Sequence, residues 1–320
     1  MFDCKSQSAK GVALVYDRRY NLTAFGLERL HPFDGKKYAK IQQSLIDLGL
    51  RTRKDFISPQ ALSHQQLLLV HSPEYLGTLR NSATLAEIFE VPVAERVPNW
   101  ILNWRILRPM RIAAGGTLLA CRLALEHGVG INIGGGYHHA DGTEGGGFCI
   151  YTDVPIALQV LHAEGKVQRA LIVDTDAHQG NGFANTLRGT GWAAVLDFFD
   201  EAIFPYPKVD EDMPVPLPAR TGRDYYLEQL HFALPEAIRI HRPDLIVYNA
   251  GSDVLDSDPL STLRLTQQDM QERDVFVVST ARKARVPIAM VLSGGYGPES
   301  AEAHALSIRT ILTNHDGDKS

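Results

Sequence analysis

The chain has 320 residues, 44% hydrophobic and 22% charged, and carries a net charge of -5. That composition fits a soluble globular enzyme with a sizeable core, and the negative balance argues against direct binding to nucleic acid, which recruits basic faces. Three cysteines, Cys4, Cys121 and Cys149, are too scattered for a disulfide framework or a thiolate zinc site, so any metal has to be held by His and carboxylate.

The N-terminus MFDCKSQSAKG has no basic start followed by an apolar core, and no apolar run approaches the ~18 residues of a membrane span. A cytoplasmic protein is expected. Gly11 to Tyr16 reads as a first strand, and the aromatic loop to His31-Pro32-Phe33 as a candidate site rim. Asp34 is placed to cap a helix with Tyr38, Ile41, Leu45 and Leu48 at helical spacing and Gly49 past its end. Ser58-Pro59 and Ser72-Pro73 each read as a cap before a first-turn proline, with Leu67 to Val70 as a buried strand between them. A longer helix opens at Pro109 and closes at Gly128, its small residues suited to packing on a sheet.

Val129 to Ile133 then leads into two glycine triplets, Gly134 to Gly136 and Gly145 to Gly147, that bracket the tandem His138-His139. Glycines allow close backbone approach, so this strand end is shaped to present side chains. In QRALIVDTDAHQGNGF (Gln168 to Phe183), Leu171, Ile172 and Val173 show no alternation, the mark of a strand covered on both faces. Asp174, Asp176 and His178 follow at period two, toward the carboxyl edge where open α/β sheets bind ligands. The plainer alternative is that the two aspartates cap a turn and His178 is a loop residue. Further strands at Trp192 to Phe198, Pro243 to Ala250 and Pro287 to Leu292, with a helix through Tyr225 to Ile240, continue the alternation that builds a parallel sheet. Two of them end in Gly251-Ser252-Asp253 and in Ser293-Gly294-Gly295-Tyr296-Gly297.

Asp176, His178 and Asp253 make a three-ligand set with an open position, the way a catalytic zinc is held, and such a set also accepts iron(II). A metal there would lower the pKa of water from about 15.7 toward ~7 and polarise a carbonyl, the two needs of amide hydrolysis. The tandem histidines offer a base, and a tyrosine on a glycine-flanked loop offers a neutral donor to the oxyanion.

GGGYHHADGTEGGGFCIYTD, VDTDAHQGNG, YNAGSDVLDSDPL and SGGYG resemble the successive motifs of zinc-dependent histone deacetylases. FGLERLHPFDGKKYAKI and the asparagine of HQGNG resemble the class IV branch and its bacterial relatives, and the similarity spans about Val12 to Ile311. It implies a single domain over residues 1–320, with a core of about 12–311 and a short flexible C-terminal tail. The implied fold is the three-layer arginase/deacetylase-like α/β fold, with a central, mostly parallel sheet of about eight strands. The implied reaction removes an acyl group from an acylated lysine of a peptide or protein, or from a small acylated amine.

By position, the resemblance makes Asp176, His178 and Asp253 the zinc ligands and Tyr296 the carbonyl-polarising hydroxyl. His139 becomes the general base, oriented by Asn181 where most other classes carry aspartate, and His138, paired with Asp174, an electrostatic helper. Phe148 and Phe204 become facing aromatic walls, Gly147 a carbonyl for the substrate amide N–H, and Gly294 and Gly295 further substrate contacts. It also implies a potassium site from carbonyls around Asp174 to His178 and the side chain of Asp197. Tyr206 stands where the family usually has glycine, which puts the pocket depth and acyl preference in question. The alternatives are an acetylpolyamine amidohydrolase, a two-metal ureohydrolase using Asp174, Asp256 and Asp258, and a silent acyl-lysine binding module.

Overall fold

In the computed structural model, the described residues are 11–22 and 32–316; His31 and most of the aromatic loop before it lie outside them. Eight strands form one parallel sheet: β1 (Ala13–Val15), β2 (Phe56–Ile57), β3 (Val129–Asn132), β4 (Ala170–Asp174), β5 (Ala193–Asp200), β6 (Met213–Leu217), β7 (Leu245–Asn249) and β8 (Ile288–Val291). Their order is β2-β1-β3-β8-β7-β4-β5-β6, and every neighbouring pair is parallel. All carboxyl ends therefore share one edge. The four strands expected to carry site residues, β3, β8, β7 and β4, lie side by side in the middle.

The long helices are α1 (Lys37–Asp47), α2 (Arg108–His127), α3 (Asp153–Ala163), α4 (Arg223–His241), α5 (Gln267–Lys283) and α6 (Ser300–Asp316). They cover both faces. Leu171 and Val173 point into a core shared with α1, α4, α5 and α6, whereas Ala170 and Ile172 point into one shared with α2 and α3. The two-residue period of a strand thus feeds two separate cores, which is why β4 has to be apolar throughout. Among the described residues no helix is long and apolar enough to cross a membrane.

Several local expectations are corrected. Asp34 does not cap α1: the cap position is Lys36, whose backbone N–H is accepted by Asp34 at 2.9 Å. Leu48 is half exposed rather than core. Residues 58–62 form no helix, and Leu67 to Val70 is not a strand. Ser63 and Gln66 form a reciprocal capping box that starts a short helix, His64–Leu67, and Leu68 and Leu69 face outward. Ser72 does cap Pro73–Thr78 as expected. Among the described residues β6, sequence MPVPL, is the edge strand beside β5, an environment in which a strand tolerates prolines.

Candidate metal and catalytic centre

Beyond β4 the chain bends so that Asp176 and His178 face Asp253, which follows β7. One ligand atom from each lies within 4.8 Å of the others, and all three residues are buried. His178 Nδ1 is 3.2 Å from Asp176 Oδ1 and 2.9 Å from Asp253 Oδ2. Backbone donors orient the cradle: Gly294 N–H meets Asp176 Oδ2 at 2.8 Å, and Ala177 N–H meets Asp253 Oδ1 at 2.9 Å. A side chain at Gly251 would collide with Asp176, so glycine is required there. Burial and the Asp176 charge push the Asp253 carboxyl up, while His178 is raised because both carboxylates outweigh its own burial. Two buried carboxylates sharing one imidazole form a cation-hungry donor set, and the set suits zinc or iron(II).

The tandem histidines stand on the loop after β3, where Gly135 and Gly136 take left-handed φ values of +74° and +87°. Asp153, at the start of α3, pins that loop by accepting from the N–H groups of Gly136 (2.9 Å) and Tyr137 (2.8 Å). His138 Nδ1 lies 3.0 Å from Asp174, whose other oxygen accepts from Asn249 at 2.8 Å. Burial opposes charge on His138, but Asp176 and Asp174 outweigh it and push its pKa up to about 9. His139 Nδ1 lies 2.7 Å from Asn181 Oδ1 at the start of a short helix, Asn181–Leu187. Burial, then His138 and His178, drive the His139 pKa well below its ordinary value.

The Tyr296 ring packs edge-on against His178 and Phe148. Burial and the charges of Asp176 and Asp253 raise its hydroxyl well above the ordinary tyrosine range, so it remains an O–H donor. Phe204 lies edge-on to His139, with ring centres 5.0 Å apart, and is 43% exposed. Tyr206 turns outward, and its hydroxyl meets the Ala202 carbonyl. Gly147 packs against the His139 ring, where a Cβ would clash, and its carbonyl is 3.4 Å from Cys149 Sγ. Gly294 lies against the carboxylates of Asp176 and Asp253; Gly295 turns away, onto Ser252 and Ser300.

A cavity of about 110 Å³ opens beside these groups, several times the ~10–15 Å³ that one water needs on the same measure. His139, Phe148 and Tyr296 line it together with Leu102, Ile106 and Met110. The buried Asp197 uses one oxygen to accept from Gly180 N–H at 2.7 Å, while its other oxygen and both oxygens of Glu211 have no donor among the described residues. Oxygen donors of this kind fit a hard cation. Asp174 and Asp258 are committed elsewhere, Asp174 to His138 and Asn249, Asp258 to the N–H groups of Tyr296 and Gly297, which disfavours a two-metal centre. Sequence reasoning assigned no role to Asn249 or Asp153, whose place inside two of the quoted motifs was the available signal. It also missed Lys37, which shares the α1 stripe with Ile41 and Leu45.

A parallel α/β sheet whose carboxyl edge gathers a carboxylate–imidazole metal cradle, a neutral buried histidine and a tyrosine hydroxyl defines a metal-dependent hydrolase. Residues 31–312 match the histone deacetylase domain family. The chain is 38% identical to histone deacetylase 2 of Arabidopsis thaliana over 303 residues, covering 94% of this chain and 78% of that one. Its fold is similar to the HDA15 HD domain, with a TM-score of 0.74, 23% identity and coverage of 95% and 89%. An acetylpolyamine aminohydrolase from Burkholderia pseudomallei gives a TM-score of 0.69 at 20% identity, covering 87% and 90%. The chain belongs to the histone deacetylase family and is a metal-dependent deacetylase-like hydrolase.

Proposed function

We propose that the chain cleaves the amide of acylated lysine, that zinc is its resident metal, and that its class IV-like pocket accepts acyl groups longer than acetyl. The observation that carries this reading is that His139 and Tyr296 line the same cavity as the apolar side chains of Leu102, Ile106 and Met110. Asp176, His178 and Asp253 would hold the zinc, which would supply Lewis acidity toward water and the scissile carbonyl. His139 donates Nδ1–H to Asn181, which leaves the Nε2 lone pair free to take the proton of the attacking water. The Tyr296 hydroxyl donates to the oxyanion as the carbonyl carbon becomes tetrahedral. When the C–N bond breaks, His139 returns the proton to the leaving amine. His138, held as imidazolium by Asp174, offsets negative charge developing nearby. A potassium ion is proposed at Asp197, whose unpartnered oxygen supports a cation there.

The test is turnover of one lysine peptide bearing acetyl, octanoyl or myristoyl, and of an acetylated polyamine, with and without chelator. Ile106→Trp, which puts an indole in place of one of the apolar residues lining the cavity, should cut long-chain turnover at least tenfold and leave acetyl within about threefold. Preference for the polyamine, or indifference of every chain length to Ile106→Trp, would overturn the reading.

A further inference from the structure

The loop that carries Tyr296 is an uncommon piece of backbone. Ser293 has φ +47°, left-handed for a residue with a side chain, and Gly295 has φ +122°. Residues held in such regions persist only where their surroundings over-determine them. Two buried groups do so from opposite sides. On one side Asp258 accepts from two successive N–H groups, Tyr296 at 2.7 Å and Gly297 at 3.0 Å. On the other, Lys37 Nζ donates to two successive carbonyls, Ser293 at 3.1 Å and Gly294 at 2.6 Å.

Lys37 comes from the first turn of α1, 256 residues earlier in the chain, and is 1% exposed. Burying an ammonium is costly unless it is paired, so a lysine there has to be held by its contacts. Burial lowers its pKa to about 8, while Asp253, Asp176 and Asp258 favour the charged form. The same Gly294 gives its N–H to the metal ligand Asp176, so the residue that Lys37 grips is also tied to the cradle. Phe33 lies under the ammonium at 5.5 Å and edge-on to the Tyr296 ring at 6.3 Å, a second link between Lys37 and that tyrosine.

We propose that Lys37 is a positioning residue: its ammonium fixes the Ser293 to Gly295 turn so that the Tyr296 hydroxyl meets the developing oxyanion. This rests on the role proposed above for Tyr296. The loss of Lys37 therefore lowers the rate through Tyr296 and leaves metal retention and ground-state binding largely intact.

The experiment compares Lys37→Met, Lys37→Arg, Tyr296→Phe and the Lys37→Met/Tyr296→Phe double variant, reading kcat, KM, bound metal and Tm of the full chain. Lys37→Met should lower kcat by about 10- to 100-fold with KM within about threefold and full metal content. Lys37→Arg, which keeps the charged donor, should recover most of that loss. The double variant should be no slower than Tyr296→Phe alone, because two residues acting through one hydroxyl are not additive. If Lys37→Met does not fold, Lys37→Gln, neutral but still a donor, is read the same way. Near-wild-type kcat in Lys37→Met, loss of metal, or multiplicative losses in the double variant would overturn the proposal. Wild-type kcat in Tyr296→Phe would instead overturn the reading of Tyr296 on which it rests.

Discussion

The pockets around His138 and His139 are almost equally dry, yet they favour opposite charge states. The two residues are 3% and 6% exposed, with ring centres 4.1 Å apart, so burial alone would strip a proton from both. His138 faces two carboxylates, which overcome its desolvation and push it up to about 9. His139 faces the neutral amide of Asn181, and the charge on its neighbour lowers it further. Burial pushes both rings toward the neutral form, and the charge of the partners decides whether that push is overcome, as at His138, or stands, as at His139. One residue type repeated in adjacent positions thereby favours a charged ring at His138 and a neutral ring at His139, and the first charge helps to keep the second ring neutral.

The largest expected effect comes from treating the two histidines alike. His139→Ala removes the proposed proton acceptor and should lower kcat by about 10²- to 10⁴-fold, the range of a positioned acid–base group. His138→Ala removes only a charge and should cost at least about tenfold less, so equal losses would erase the distinction between the pockets. A smaller effect is expected from Asp174→Asn, read in the pH profile of kcat. His138 is charged below its folded pKa, so the contribution of the imidazolium is present at neutral pH and disappears as pH rises through about 9. Without the Asp174 charge that pKa falls, and the alkaline limb should move down by about one unit or more. A limb that stays in place would separate His138 from the rate.

The strands that meet at the site were legible because each is an apolar run ending in polar residues. β4 is the clearest case, since both of its faces feed cores and no alternation competes with the signal. β6 was not legible: Pro214 and Pro216 argue against a strand, and only its position at the sheet edge resolves the conflict. Leu67 to Val70 was misread because four apolar residues carry no period, while the capping box at Ser63 and Gln66 decided the local structure. Spacing put Asp176 and His178 on one side of the strand end but left a turn-capping reading open, because Asp253 lies 75 residues further on; the difference between His138 and His139 likewise needed partners 36 and 42 residues away. Lys37 was hidden for a related reason. A lysine in the first turn of a helix ordinarily reads as solvated, and its carbonyl partners lie near the other end of the chain.

The smallest effect at neutral pH, and the sharpest test of the comparison, comes from Asn181→Asp, which gives His139 the kind of partner His138 has. A carboxylate at 2.7 Å from Nδ1 favours the imidazolium, so the His139 pKa should rise by about 1–3 units. His139 works as a base only when unprotonated; a raised pKa therefore removes activity from the acid side, and the acidic limb of kcat/KM moves upward. At neutral pH the loss should be only a few-fold. Above the new limb the variant should match or exceed the wild type, because a more basic imidazole takes the proton of water with greater driving force. If the acidic limb does not move, the partner of His139 does not set its charge, and the contrast between the two pockets would have to come from burial or from the metal instead.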